Sequence, residues 1–325
     1  MPLATFSDRE VIFKCRGNLI NRPLWPYIQV FKNMGVHVAV EQEHGYVKIF
    51  GKLKPGKISL PGNVSSQFIS GLLLALPLLS ESSEIFLTTP LESAGYVDLT
   101  IDIMRKFSVI IDKTSGGFFV KGNQKYKQTT CEITGDWSAA AFWIVANALG
   151  SNIEIAGIRQ NAEQPDKEIL SIINKMGVKT NFVNNSLTVL SSEPTATEIF
   201  SAQCPDLVPI LSILAAKSVG LTKILGANRL KFKETNRLDA IFNSLKVLSV
   251  EVRKNDDSLY INGPNKLKSA VLSGFKDHRI IMAMAIAATD AEGRIHINNV
   301  QYVQKSYPTF FDNFKMLGGL VNIIN

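Results

Sequence analysis

Four short stretches of the 325-residue chain combine residue types that could hold and transform an anion, and each lies at or near the start of an apolar run. Ser65-Ser66-Gln67, after Gly62-Asn63-Val64, puts two hydroxyls and an amide at one helix start. Such a start offers unpaired N–H groups and a partial positive charge, which favour phosphate or carboxylate, although simple capping by serine also accounts for the tripeptide. Arg229-Leu230-Lys231-Phe232-Lys233-Glu234-Thr235-Asn236-Arg237 alternates charge along a strand and then enters a helix. Lys233 and Arg237 are four apart, so they share a face if both are helical. A solvated strand end leading into a helix is the plainer account. Lys276-Asp277-His278-Arg279 places cations beside an apolar helix with Asp277 as its natural cap, and Gln304-Lys305-Ser306-Tyr307-Pro308 forms a turn before the last helix, where a lysine is ordinarily solvated.

The elements that carry these stretches recur. Amphipathic segments run into Gly- or Ser-marked turns at positions 35, 108, 177, 249 and 318, at spacings of 73, 69, 72 and 69 residues. These segments are Pro23 to Met34, Tyr96 to Phe107, Asp166 to Met176, Glu234 to Leu248 and Pro308 to Leu317. Between them lie strongly apolar helices opened at Ser65, Ser138, Asp206 and Asp277, at spacings of 73, 68 and 71. Tyr46 to Ile49, Gly117 to Val120 and Ser258 to Ile261 read as second members of strand pairs. The pattern predicts an α/β fold built from β-α-β-α-β-β units of about 70 residues, with the apolar helices buried all round and unable to bury themselves alone. Counted this way, the chain opens in the second half of one unit and runs through four complete ones.

Composition narrows the class. Apolar residues make up 46% of the chain and charged residues 19%, a globular composition, and the length suggests two domains. The longest apolar run, Phe68 to Leu79, is interrupted by Ser70, Gly71 and Pro77 and is too short to span a bilayer. No signal peptide is visible at the start, and the three cysteines, Cys15, Cys131 and Cys204, form neither a disulfide framework nor a zinc motif, so a cytoplasmic setting is expected. Lys and Arg exceed Asp and Glu by 35 to 28, a net charge of +7 that attracts anions. Nucleic acid is one possible anion and a phosphorylated metabolite another; charge alone does not separate them, but the lack of a basic run or interleaved aromatics weighs against nucleic acid.

In that order and at those distances, Gly62 to Phe68, Lys233-Glu234-Thr235-Asn236-Arg237-Leu238, Asp277-His278-Arg279 and Lys305 to Phe311 closely resemble the EPSP synthase (3-phosphoshikimate 1-carboxyvinyltransferase) family, over the whole chain. The resemblance implies two domains of packed β-α-β-α-β-β units that close on substrate. It implies transfer of the enolpyruvyl group of phosphoenolpyruvate to the 5-hydroxyl of shikimate 3-phosphate, with no metal, no organic cofactor and no nucleic acid or membrane partner. Carried over by motif, Ser65, Ser66, Gln67, Ser93, Tyr96, Asp206 and Lys233 bind shikimate 3-phosphate. Asp206 is also a candidate base toward the hydroxyl, and Glu234 is the carboxyl group implied in proton transfer at the phosphoenolpyruvate methylene. Arg22, Gln67, Arg237, Arg279 and Lys305 hold phosphoenolpyruvate, Lys305 also counting as catalytic, and domain closure assembles this clamp.

The expected boundary lies near Gly135-Asp136, with residues 1–135 an incomplete shikimate 3-phosphate domain and 136–325 the phosphoenolpyruvate domain. Asn236 stands where the family usually has an acidic residue, a change expected to loosen the orientation of Arg237. The family's Pro-Gly-Ser-Lys-Ser and Asn-Ser/Ala-Gly-Thr segments do not occur, which leads to the expectation that about 100 N-terminal family residues are lacking, by the size of the repeat. Two other readings stay open: a ligand-binding homologue without turnover, and the sister transferase acting on UDP-N-acetylglucosamine, whose loop cysteine has no counterpart context at Cys15 or Cys131. The family is monomeric, and self-association is the expected consequence of a shortened repeat array.

Overall fold

Local caps start three of the apolar helices of the computed structural model, which describes residues 1–190 and 192–324. The chain forms two compact units, Met1–Ile133 and Thr134–Asn325, each with its own hydrophobic core.

The first unit opens with a 3-10 turn, Pro2–Phe6, and a strand, Val11–Lys14, then helix α1 (Trp25–Asn33) and a strand pair, His37–Glu41 and Tyr46–Phe50. Tyr46–Phe50 lies between the other two, antiparallel to both. A complete repeat follows: strand Lys57–Leu60, α2 (Ser66–Ala75), strand Ser83–Leu87, α3 (Ala94–Lys106) and strands Asp112–Thr114 and Gly117–Val120. The first two strands are parallel, with Ile58 beside Ile85, and the fourth inserts between the second and the third. Ser65 accepts the Gln67 N–H at 3.3 Å and so fixes the start of α2, whose Phe68, Ile69, Leu72, Leu73 and Ala75 are buried. Helix α3 packs on it through a stripe of Val97, Ile101 and Met104.

In the second unit, Asp136 caps α4 (Trp137–Ala148) by accepting the Ser138 N–H at 2.8 Å. Then come the short strand Ile155–Ala156, α5 (Ile169–Lys175) and the hairpin of Thr180–Val183 with Ser186–Val189, whose second strand also pairs with Ile155–Ala156; Asn184-Asn185 turn the hairpin, both left-handed as a two-residue loop requires. A second complete repeat runs through strand Glu198–Phe200, α6 (Val208–Lys217), strand Gly220–Leu225, α7 (Arg237–Val247) and the strand pair Glu251–Lys254 and Leu259–Gly263, in the same strand order as the first. Strand Leu267–Leu272, α8 (His278–Ala288), the parallel strand Ala291–Ile297 and α9 (Phe310–Met316) complete the unit. Helix α6, buried at every residue but Lys217, packs against both α4 and α8. Among the described residues no helix is long and apolar enough to cross a membrane.

The count of four complete repeats is corrected to two. Among the described residues no strand precedes α4; the polar stretch 128–134 leads into a single backbone bond, Gly135 N–H to Gly157 O at 2.8 Å. None follows α9 either. In a complete repeat the third strand pairs only with the fourth, and residues 320–324 have no fourth strand beside them. The amphipathic segment expected from Glu234 also starts later, at Arg237, because Asn236 caps the helix.

Candidate active site

Five segments of the second unit bring charged side chains to one place. Asp206 sits in the 3-10 turn Pro205–Leu207 that leads into α6. Lys233 and Glu234 follow another such turn, Asn228–Phe232, and Arg237 is the first residue of α7. Asp277 and Arg279 belong to the start of α8, and Lys305 ends the turn Val300–Lys305. Lys233 Nζ donates to Asp206 Oδ1 at 2.9 Å, and Arg237 Nη1 donates to the same oxygen at 2.7 Å. Arg279 Nη2 lies 3.3 Å from Asp206 Oδ2. Glu234 receives Arg237 Nη2 at 2.6 Å on one oxygen and Lys305 Nζ on the other. Arg237, only 1% exposed, also places Nε 2.9 Å from Asp277 Oδ2.

Four cations thus surround three carboxylates, with the buried Arg229 adding to the positive field at Lys233. Burial pushes the Asp206 carboxyl up, but Arg279, Lys233 and Arg237 together outweigh it and hold the group well below the usual carboxylate range. Burial lowers Lys233 despite the opposing pull of Asp206. Burial also acts against the Arg237 charge, yet Asp277, Asp206 and Glu234 overcome it and raise its pKa. His278, beside Asp277, is pushed down to about 4, chiefly by burial, and its Nδ1 has no hydrogen-bond partner among the described residues.

The first unit carries the remaining sequence-predicted residues. Ser65 is spent as the cap of α2, Ser66 is buried and Gln67 is exposed. Ser93 is buried in a left-handed conformation just before α3, and Tyr96 lies in the first turn of that helix. The two helix starts abut: Gly62 N–H donates to Thr89 Oγ1 at 3.0 Å and Glu92 N–H to Gly62 O at 3.1 Å. Arg22 ends the turn Gly17–Asn21 just before α1, half-buried. Tyr27, in α1, donates its hydroxyl to Phe68 O at 3.0 Å and so ties α1 to the start of α2.

The model of the EPSP synthase (3-phosphoshikimate 1-carboxyvinyltransferase) family matches residues 1–314. The chain belongs to this family. The EPSP synthase relatives include the 3-phosphoshikimate 1-carboxyvinyltransferase of Clostridium kluyveri, 43% identical over 323 residues, which cover 99% of this chain and 76% of that protein. That of Clostridium acetobutylicum is 44% identical over 326 residues, covering 99% and 75%. Among solved structures, an EPSP synthase from Acinetobacter baumannii superposes with a TM-score of 0.79 at 21% identity, covering 100% of this chain and 77% of that one. The enolpyruvyl transferase NikO from Streptomyces tendae does so at 0.77 and 16% identity, covering 99% and 75%. These two establish the repeated α/β enolpyruvyl transferase fold.

Seen as the Lys-Glu motif of an EPSP synthase, Lys233 and Arg237 meet by a route that the sequence spacing does not describe. They are not helical neighbours: Lys233 is extended, and the two converge because both reach Asp206. Nor does Asn236 loosen Arg237. It accepts the Asp239 N–H at 3.3 Å as the cap of α7, while three carboxylates hold the guanidinium. By sequence, Asp277 is a helix cap and His278 a neighbouring cation. Asp277 does cap α8, accepting the Arg279 N–H at 2.9 Å, but it also binds an arginine 40 residues away, and His278 is buried in its neutral form. Chemically, the cluster offers guanidinium and ammonium groups to a carboxylate or phosphate, with carboxyl groups placed to move protons beside it.

Proposed function

We propose that this chain transfers the enolpyruvyl group of phosphoenolpyruvate to the 5-hydroxyl of shikimate 3-phosphate, releasing phosphate. The observation that carries the reading is the meeting of Lys233, Arg237, Arg279 and Lys305 over Asp206 and Glu234 in a family whose relatives are named for this transfer. Arg237, Arg279 and Lys305 take the carboxylate and phosphate of phosphoenolpyruvate, for which planar guanidinium forks are suited. Asp206 and Lys233 of the same cluster take shikimate 3-phosphate.

The hydroxyl oxygen adds to C2 of phosphoenolpyruvate while the methylene carbon gains a proton. The C2–O bond to phosphate then breaks and the new methyl group gives the proton back. Glu234, held between Arg237 and Lys305, carries that proton. Asp206 is a poor base while three cations hold it. A ligand anion that draws Arg279 away restores its basicity toward the hydroxyl, so binding and activation are one event.

The test offers the purified chain phosphoenolpyruvate with either shikimate 3-phosphate or UDP-N-acetylglucosamine, with the quarter of the Clostridium kluyveri relative outside the matched region supplied in trans. Mass spectrometry is expected to find 5-enolpyruvylshikimate 3-phosphate and no enolpyruvyl sugar nucleotide. The reverse product identifies the sister activity, and a folded chain giving neither product favours ligand binding without turnover.

A further inference from the structure

Asp277 is fully buried, and its carboxylate is committed in two directions. Oδ2 accepts Nε of Arg237 at 2.9 Å. Oδ1 accepts Nη2 of the same guanidinium at 3.3 Å and the backbone N–H of Arg279 at 2.9 Å. One carboxylate therefore fixes the plane of one arginine and the backbone position of another, although the two arginines come from different helices, α7 and α8. Both guanidinium groups then point at Asp206, Arg237 through Nη1 and Arg279 through Nη2. Arg237 uses what remains of its fork on Glu234, so each of its nitrogens faces a carboxylate.

We propose that Asp277 is a positioning residue of the anion site, setting the Arg237 and Arg279 guanidinium groups at the separation a carboxylate or phosphate ligand requires. It acts through the arginines, because its own oxygens are taken up within the protein. The proposal rests on the reading that this cluster binds an anionic substrate. Precise placement matters because two fixed guanidinium groups bind an anion without the entropy cost of ordering them, whereas mobile ones must be ordered by the ligand.

Two substitutions separate positioning from capping. Asp277→Ser keeps a side chain well suited to cap α8 but too short for the paired contact with Arg237. Asp277→Asn keeps the shape and the cap but has one acceptor oxygen where the carboxylate has two, and it turns an amide donor toward the arginine. Sulfate is the probe, because it keeps its charge across neutral and mildly acidic pH. Calorimetry on the folded variants is expected to show sulfate affinity falling by about tenfold, with KM for phosphoenolpyruvate rising alike and KM for shikimate 3-phosphate changing less than about twofold. Removing a negative charge would by itself strengthen sulfate binding, so a weaker affinity reports lost orientation.

A capping role alone predicts sulfate affinity, both KM values and the melting temperature all close to those of the native chain, because both variants keep the cap, and that result overturns the proposal. So does sulfate binding that is equal or tighter in either folded variant, or a native chain that binds no sulfate. Sulfate binding that depends on Asp277 in a chain without turnover refutes the proposed reaction and leaves the positioning role standing.

Discussion

Arg237 shows why the site is built of opposed charges. Burying a lone guanidinium costs several kcal/mol, of the order found for any desolvated ion, and only paired, well-directed carboxylates repay it. Asp206, Glu234 and Asp277 supply those pairs at 2.6 to 2.9 Å. Two separate pH dependences follow from their neighbours. His278 has a folded pKa near 4 against an ordinary 6.5, so below pH 6.5 the unfolded chain binds a proton that the folded chain refuses. Stability is therefore lost as pH falls from 6.5 to about 4, by ~3 kcal/mol. The lowered Asp206 gives stability that is complete above its ordinary value of 3.8 and is lost below it, as pH falls through the folded pKa. Denaturant melts across this range are expected to fall in two stages, with His278→Gln flattening the first and sparing the second; an unchanged upper stage in that variant contradicts the assignment. At this scale the motif residues Lys233, Glu234, Arg237 and Arg279 were legible in the sequence. The second role of Asp277 was not, because its local service as a cap fully explains it and the partner arginine lies 40 residues away.

Helix starts were legible where the cap is a local matter. Ser65, Asp136 and Asp277 each accept the N–H of the second residue after them, a reach set by the side chain itself. The start of α7 was misplaced by three residues because Glu234, acidic and near a helix, reads as a first-turn residue until its bonds to Arg237 and Lys305 are seen. The turn between strand Leu267–Leu272 and α8 depends on a glycine that no pattern singled out. Gly274 donates to Asn298 O at 3.1 Å and accepts the Asp277 N–H at 2.9 Å. A Cβ there would lie 2.3 Å from Asn298 O and 2.7 Å from Ile281 Cγ1. Gly274→Ala is accordingly expected to cost about 1–3 kcal/mol in denaturant unfolding, since backbone on one side and a buried side chain on the other must give way. Gly116→Ala, with nothing within 4 Å, is the control and is expected to stay within about 0.5 kcal/mol of the native chain. Equal costs at the two positions would show that the close approach at Gly274 does not limit the turn.

For the molecule as a whole, the 70-residue period carried most of the architecture, because each apolar helix must be covered and each covering element repeats. What the period could not show is which repeats are complete. A strand exists only where a neighbour supplies its hydrogen bonds, and the stretches before α4 and after α9 are β-compatible sequences without one among the described residues. In the cluster on the second unit four cations face three carboxylates, an arrangement whose positive groups suit an anion. Enolpyruvyl transfer by this family member frees phosphate, and that release is the readout to follow. The purified chain is assayed with shikimate 3-phosphate and phosphoenolpyruvate, alone and with the unmatched quarter of the Clostridium kluyveri relative added. Release is expected to require both substrates and to be abolished in Glu234→Gln. A demonstrably folded chain that releases no phosphate under either condition, or release that persists without shikimate 3-phosphate, would contradict the transfer.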